Sequence, residues 1–275
     1  MDNLRIAFIG TGSMGSAVLD GLLAAGHSKS LISATTKTEA KAKALRDRGI
    51  SALAGETSPD ANALMAGDAD LIVLGVKPYQ IVDVLTELKG EIGKNAVVIS
   101  LAAGIELETM SKAIENPNLI RTMPNTPALV RKAVTGIAPA ATASQDAIDA
   151  TVTLFEAIGT ANVVPEEKIN ALSAISGSGP AYVFYFIEEL TKAALAQGFT
   201  AEQARVMVHD TFLGASELLA ASGKTPEELR RQVTSPNGTT MRAVAVLEEA
   251  DLAALFVRAT NAALARAKEI AEGNL

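Results

Sequence analysis

A chain of 275 residues, 48% hydrophobic and 20% charged, has the make-up of a folded globular protein with room for two domains, which excludes the disordered and fibrous classes. Its 24 Lys and Arg against 31 Asp and Glu leave a net charge of −7 and no long basic run, so a nucleic-acid partner has no footprint. With no cysteine, disulfide frameworks, thiol nucleophiles and Cys-ligated metal centres are excluded as well.

From Leu4 to about Val164, short apolar β-rich runs alternate with longer segments of helical spacing. The first run, Leu4 to Ile9, continues straight into Gly10-x-Gly12-x-x-Gly15. It reads as a structural strand and not as a secretory signal, so a cytoplasmic location is expected. Helical spacing follows over Met14 to Ala25, then "LISA", helical spacing over Thr38 to Arg48, "DADLIVLGV", helical spacing over Tyr79 to Leu88, and the runs "NAVVISL", "PNLIRT", "VTGIAP" and "TANVV". Apolar strands alternating with helices predict an α/β fold over residues 1–164, a parallel sheet covered on both faces. After Pro165 no β-rich run occurs, and residues 165–275 are expected to be all-α. Ile169 to Ile187 is uncharged over about the length of a membrane span, but Asn170, Ser173 and "SGSGP" predict buried helices with a break. Pro180 suits a first helical turn, and Val208, Phe212, Ala215 and Leu219 mark one stripe of a helix over Ala201 to Ser222. "TPEEL" at Thr225 and "TSPNGTT" at Thr234 are turn-and-cap signals.

The three glycines lie between an apolar strand and an amphipathic helix, where loop N–H groups and the helix N-terminus favour a pyrophosphate. About 20 residues further on, where NAD-binding sequences place an acid for the ribose, this chain has Thr35, Thr36 and Lys37, and its first carboxylate is Glu39. NADP(H) is therefore expected over NAD(H); the competing reading is that these residues only cap the helix near Thr38. "TSPNGTT" is equally double-sided on spacing alone: an anion cradle of helix N–H groups with the Ser235 and Thr239 hydroxyls, or an ordinary N-cap. Neither His27 nor His209 has neighbours that suggest a metal, and none is expected. A backbone role in a cofactor loop is the reading for Lys77, and Phe184, Tyr185 and Phe186 are expected in the helical core or a subunit seam.

Together with the glycine turn, "GVKP" (Gly75 to Pro78), "RTMPNTPA" (Arg121 to Ala128), "SGSGPAYVF" (Ser176 to Phe184) and "VTSPNGTTMRAVAVLEE" (Val233 to Glu249) resemble the pyrroline-5-carboxylate reductase family, in order and over essentially the whole chain. Asn237 stands where a glycine is more usual in that family, and Gly15 where some members have alanine.

The resemblance implies a Rossmann-type doubly wound sheet that binds NADPH, with NADH as an alternative, and an all-α domain for dimerisation and substrate. It further implies a homodimer at least, in some members a ring of five dimers, with an active site shared between subunits. Gly10, Thr11, Gly12, Ser13, Met14 and Gly15 would hold the pyrophosphate, and Thr35, Thr36, Lys37 and Asn62 the adenosine ribose and its phosphate. Val76, Lys77 and Pro78, Ala102, Ala103 and Gly104, and Met123, Pro124 and Asn125 would line the ribose and nicotinamide. Ser176, Ser235, Asn237, Gly238, Thr239 and Thr240 would bind substrate, with Thr240 as the catalytic residue on the ring nitrogen. The activity so implied is reduction of 1-pyrroline-5-carboxylate to L-proline. A β-hydroxyacid dehydrogenase would carry its catalytic lysine six residues after Gly177, where this chain has Val183. A non-catalytic NADPH sensor, the other alternative, has no need of a second anion cradle.

Overall fold

The computed structural model describes residues 3–271. Its core is an eight-stranded sheet in the order β3-β2-β1-β4-β5-β6-β7-β8. The strands are β1 (Ile6–Ile9), β2 (Ile32–Thr36), β3 (Ser51–Ala54), β4 (Leu71–Leu74), β5 (Val97–Ser100), β6 (Leu119–Met123), β7 (Ala133–Pro139) and β8 (Gly159–Val163). Helices α1 (Ser13–Ala24), α2 (Glu39–Asp47), α3 (Ala61–Ala66), α4 (Ile81–Glu87), α5 (Leu107–Ala113) and α6 (Gln145–Glu156) connect them. Side chains alternate across the sheet as the pleat requires. Ile6 and Phe8 of β1 and Leu71 and Val73 of β4 join one buried cluster, completed by Val18, Leu22 and Phe155. Ala7, Ile9, Ile72 and Leu74 join the other, with Ile81, Leu85 and Met110. Two-sided burial is why these strands read as unbroken apolar runs.

The sheet departs from the expectation in two places. β3 is an additional edge strand, parallel to β2, and β7 runs antiparallel to β6 while pairing parallel with β8. The reversal has a geometric reason: residues 124–132, which contain only a 3₁₀ turn (Thr126–Val130), are too few for the crossover that a parallel pair needs.

After β8 the chain is helical: α7 (Ile169–Leu172), a π-turn (Ser173–Gly177), α8 (Gly179–Ala196), α9 (Ala201–Ser222), α10 (Pro226–Gln232), α11 (Thr239–Glu249) and α12 (Leu252–Ala271). By compactness the chain divides at Ser178/Gly179, beyond Pro165 where the strands end, because Ile169 and Leu172 still pack against Gly136 of β7. The end of α12, from Ala263, is grouped with the first unit, and Gly179–Ala262 forms the second.

The helix breaks at "SGSG" as expected: a π-turn, with Ser178 N–H bonding Ser173 C=O at 2.8 Å, ends at Gly177, and α8 begins at Gly179. What changes is burial, because the helices beyond the break are not buried. No residue of α8 is buried, and Phe184 and Tyr185 are 66% and 60% exposed. Of the α9 stripe only Val208, beside Ala204, is buried, while Leu219 lies exposed. These helices pack partly on one another, as Tyr182 and Phe186 of α8 do on Phe256 of α12, and the remaining apolar surface faces outward. Among the described residues no helix is long and apolar enough to cross a membrane.

Candidate functional site

Strands lie to both sides of β1, with β2 on one flank and β4 on the other, so the loops after β1 and β4 diverge and open a crevice at the strand ends. Gly10, at φ +83°, turns the chain out of β1; Gly12 is the N-cap of α1, with no side-chain cap and no acid in the first turn. Ser13, Met14 and Gly15 thus occupy the bare start of a helix, where unsatisfied N–H groups and the dipole favour an anion. Close approach explains the glycines. A Cβ on Gly15 would lie 2.9 Å from the Gly10 carbonyl oxygen, one on Gly75 would collide with that same oxygen, and one on Gly10 would meet Val76 Cγ1 at 2.7 Å. Gly75, to which the sequence analysis gives no role, is therefore part of the cradle; its glycine identity was the available signal.

Thr35 and Thr36 form the last two positions of β2 and are buried. The Thr35 hydroxyl accepts from Gly10 N–H at 2.9 Å and donates to Asn62 Oδ1 at 2.9 Å. Thr11 adds two bonds to the Thr35 carbonyl, from its N–H at 3.0 Å and its hydroxyl at 3.2 Å, and Asn62 Nδ2 donates to Glu87 Oε2 at 2.9 Å. Thr35 and Asn62 thereby tie the glycine loop to β2. Thr36 donates to the Thr38 carbonyl at 2.8 Å, and Lys37 is exposed beside the start of α2, where Glu56 Oε1 accepts Glu39 N–H at 2.6 Å.

At the far side of the crevice, Val76 and Pro78 are half-buried and Lys77 is exposed, leading into a 3₁₀ turn (Pro78–Gln80). Ala102 is buried and donates to Ser100 Oγ at 3.2 Å, Ala103 is exposed, and Gly104 turns at φ +78°. Met123 is half-buried, and Pro124 and Asn125 are buried. Behind these loops sits a group that the sequence analysis missed. Arg121 of β6, 2% exposed, pairs with Glu166 Oε1 at 3.3 Å and donates to Asn170 Oδ1 at 2.8 Å; the same Glu166 oxygen accepts Leu107 N–H, the first of α5, at 2.7 Å. One carboxylate so caps the helix after Ala102–Gly104 and neutralises the arginine before Met123–Asn125. A buried guanidinium without such a partner would cost several kcal/mol. The signal was a lone charge inside the strand "LIRTM".

The second bare helix start is that of α11. Its N-cap is Gly238, without a side-chain cap, after a turn closed by Gly238 N–H to Ser235 C=O at 3.0 Å. A Cβ on Gly238 would collide with Ser235 Oγ. Asn237 sits at φ +60°, the left-handed region that favours glycine and that asparagine tolerates better than other residues, which accounts for both residue types at this position. Ser235, Asn237 and Thr239 are exposed, and Thr240 is half-buried. Ser176 lies in the other unit, on the π-turn, with its hydroxyl donating to Leu172 C=O at 3.0 Å. His27 is buried with Nε2 unpartnered, and His209 is exposed on α9.

Against known proteins, residues 166–270 match a family model described as pyrroline-5-carboxylate reductase dimerisation, and residues 5–104 one described as NADP oxidoreductase, coenzyme F420-dependent. The chain is 39% identical to a pyrroline-5-carboxylate reductase of Methanosarcina acetivorans, covering 98% of this chain and 99% of that one. A solved pyrroline-5-carboxylate reductase of Coxiella burnetii superposes with a TM-score of 0.91 at 36% identity, over 97% of this chain and 98% of that one. A pyrroline carboxylate reductase of Plasmodium falciparum, solved with NADP bound, gives a TM-score of 0.84 at 25% identity, over 98% and 99% of the two chains.

Proposed function

The chain belongs to the pyrroline-5-carboxylate reductase family, and we propose that it reduces 1-pyrroline-5-carboxylate to L-proline with NADPH, the last step of proline biosynthesis. The observation that carries this reading is the bare, glycine-led start of α11 in a chain related over nearly its whole length to reductases of that name. A small imino acid offers one strong handle, its carboxylate, and such a helix start is built to hold one.

The residues around the β1–β4 crevice fit NADPH: two chain segments approach so closely that side chains are barred, and the helix start beside them carries no cap of its own. When bound, the reduced nicotinamide supplies the hydride. Gly10 to Gly15 receive the pyrophosphate, Thr35 and Asn62 brace that loop from behind, and Thr36 and Lys37 meet the ribose phosphate. Val76–Pro78, Ala102–Gly104 and Met123–Asn125 line the ribose and nicotinamide, Asn125 through its backbone alone because both ends of its side chain are engaged by protein. The relative from Plasmodium falciparum solved with NADP supports this cofactor class.

On the substrate side, Ser235, Asn237, Gly238 and Thr239 hold the carboxylate. Thr240 hydrogen-bonds the ring nitrogen and orients the imine; its hydroxyl is too weak an acid to protonate alone, so the proton comes from water or arrives on the substrate. Ser176 completes the substrate contacts in this reading. The working protein is a homodimer at least, supported by the exposed apolar residues of α8, α9 and α12 and by the dimerisation model that matches residues 166–270. A ring of five dimers and a cytoplasmic location belong to the same proposal.

Purified protein mixed with NADPH and pyrroline-5-carboxylate should lose nicotinamide absorbance only when both are present. Tight NADPH binding with no imine-dependent oxidation would favour a cofactor sensor and overturn the reading. Light scattering should give at least twice the chain mass, and a stable active monomer would contradict the oligomer.

A further inference from the structure

The Asn125 side chain joins the loop Met123–Asn125 to the π-turn Ser173–Gly177. Asn125 is 7% exposed; its Nδ2 donates to the Ser176 carbonyl at 2.9 Å, and its Oδ1 accepts Val134 N–H at 2.9 Å. One partner is an acceptor and the other a donor, so the amide can sit only one way round. Both ends of the carboxamide therefore bridge protein to protein, from β7 to the helix.

The segment it grips is unusual. A π-turn inserts a surplus residue into a helix, is rare, and needs something to hold it. Here the Ser176 hydroxyl bonds back to Leu172 C=O, Asn125 holds the Ser176 carbonyl, and Arg121 ties Asn170, one turn earlier, to β6. Gly177 leaves room inside the turn: a Cβ there would press on Ser173 Oγ at 3.0 Å and reach ordinary contact with Met123 Cε at 3.4 Å.

We propose that Asn125 is a positioning residue, a latch that fixes the loop Met123–Asn125 and Ser176 as one rigid piece. Its side chain acts on the angle at which nicotinamide and imine meet, without touching the reacting atoms. The inference rests on the proposed function in one respect, that this loop borders the nicotinamide.

Asn125→Asp tests it. The variant keeps the shape and the acceptor for Val134 N–H but turns an oxygen toward the Ser176 carbonyl, so an attraction becomes a clash of two acceptors. The expected result is a fall in kcat of about tenfold or more with the Kd for NADPH within about threefold, and faster amide exchange in peptides spanning residues 173–178. Gly177→Ala loads the same joint from the other side; it should move kcat and exchange in the same direction by less, and it carries the test if Asn125→Asp does not fold. An unchanged kcat, or a loss of NADPH affinity parallel to the loss of kcat, would overturn the latch, the latter by making Asn125 a direct cofactor contact. Wild-type turnover is measured first. An inert wild type counts against the proposed function alone, and amide exchange in the variants then decides the latch by itself.

Discussion

Helices α10 and α11 follow one another in the chain and begin in opposite ways. At α10 the Thr225 hydroxyl accepts Glu228 N–H at 3.2 Å, the Glu228 carboxylate takes back Thr225 N–H at 2.7 Å, and Pro226 fills the first turn. The start is closed by its own residues, as is that of α9, where Thr200 and Gln203 form the same box. At α11, Ser235 and Thr239 stand within a turn of the same kind of start, yet Gly238 is the N-cap and no side chain closes it. The N-terminus of α1 repeats this arrangement around Gly12. Similar residue types thus produce a self-satisfied helix end in one place and an uncapped one in another; what separates them is whether the hydroxyl is placed on its own N–H groups.

That contrast is breakable. The largest effect is expected from Thr240→Ala in the first turn of α11: turnover should fall about 100-fold while the Kd for NADPH stays put, and an equal loss in both would contradict the role given to Thr240. Next comes Gly238→Ala. Its methyl group runs into Ser235 Oγ, so KM for the imino acid should rise about tenfold with NADPH binding unchanged; a normal KM would show that the carboxylate sits elsewhere. The start of α2 is a third case, since Glu56 already accepts its Glu39 N–H, leaving the Lys37 charge to discriminate. Thr36→Ala with Lys37→Asp should move the NADPH/NADH preference about tenfold toward NADH, measured as the ratio of kcat/KM values, and an unchanged ratio would place the phosphate site away from Lys37.

The smallest effect belongs to the closed start. Thr225→Ala should cost about 1 kcal/mol of stability and leave kcat alone, whereas an activity loss would blur the line between the two kinds of helix end. The bonds from Thr225, backbone N–H first and hydroxyl second, hold the Glu228 carboxyl below its ordinary value of 4.5. A carboxyl lowered on folding stabilises above its unfolded value and ceases to do so as pH falls through the folded one. The Tm gap between Thr225→Ala and wild type should therefore narrow on acidification below that range.

Much of the sheet was legible because burial on both faces writes a strand as an unbroken apolar run, as in "LRIAFIG" and "DADLIVLGV". β3 was missed since "SALA" has neither β-branched residues nor length; its place comes from pairing Ala52 and Ala54 with Ala34 and Thr36 of β2. The α9 boundaries, Ala201–Ser222, were legible from its periodicity and Gly223, which turns at φ +65°. Its exposed flank was not, because periodicity says which residues share a face but not whether anything covers it.

The candidate site divides along the same line. Residue identity and order alone determined that glycines crowd the end of the first strand, that no acid awaits a ribose at Thr35 to Lys37, and that a Ser- and Thr-rich turn opens a late helix, since these depend on local chemistry and spacing. Only the tertiary structure decided which polar groups are engaged and which are open: Thr35 on Gly10 and Asn62, Glu166 on Arg121 and Leu107, Asn125 on Val134 and Ser176. A hydrogen bond needs partners within about 3 Å, and residues dozens of positions apart reach that distance only through the order in which strands lie side by side.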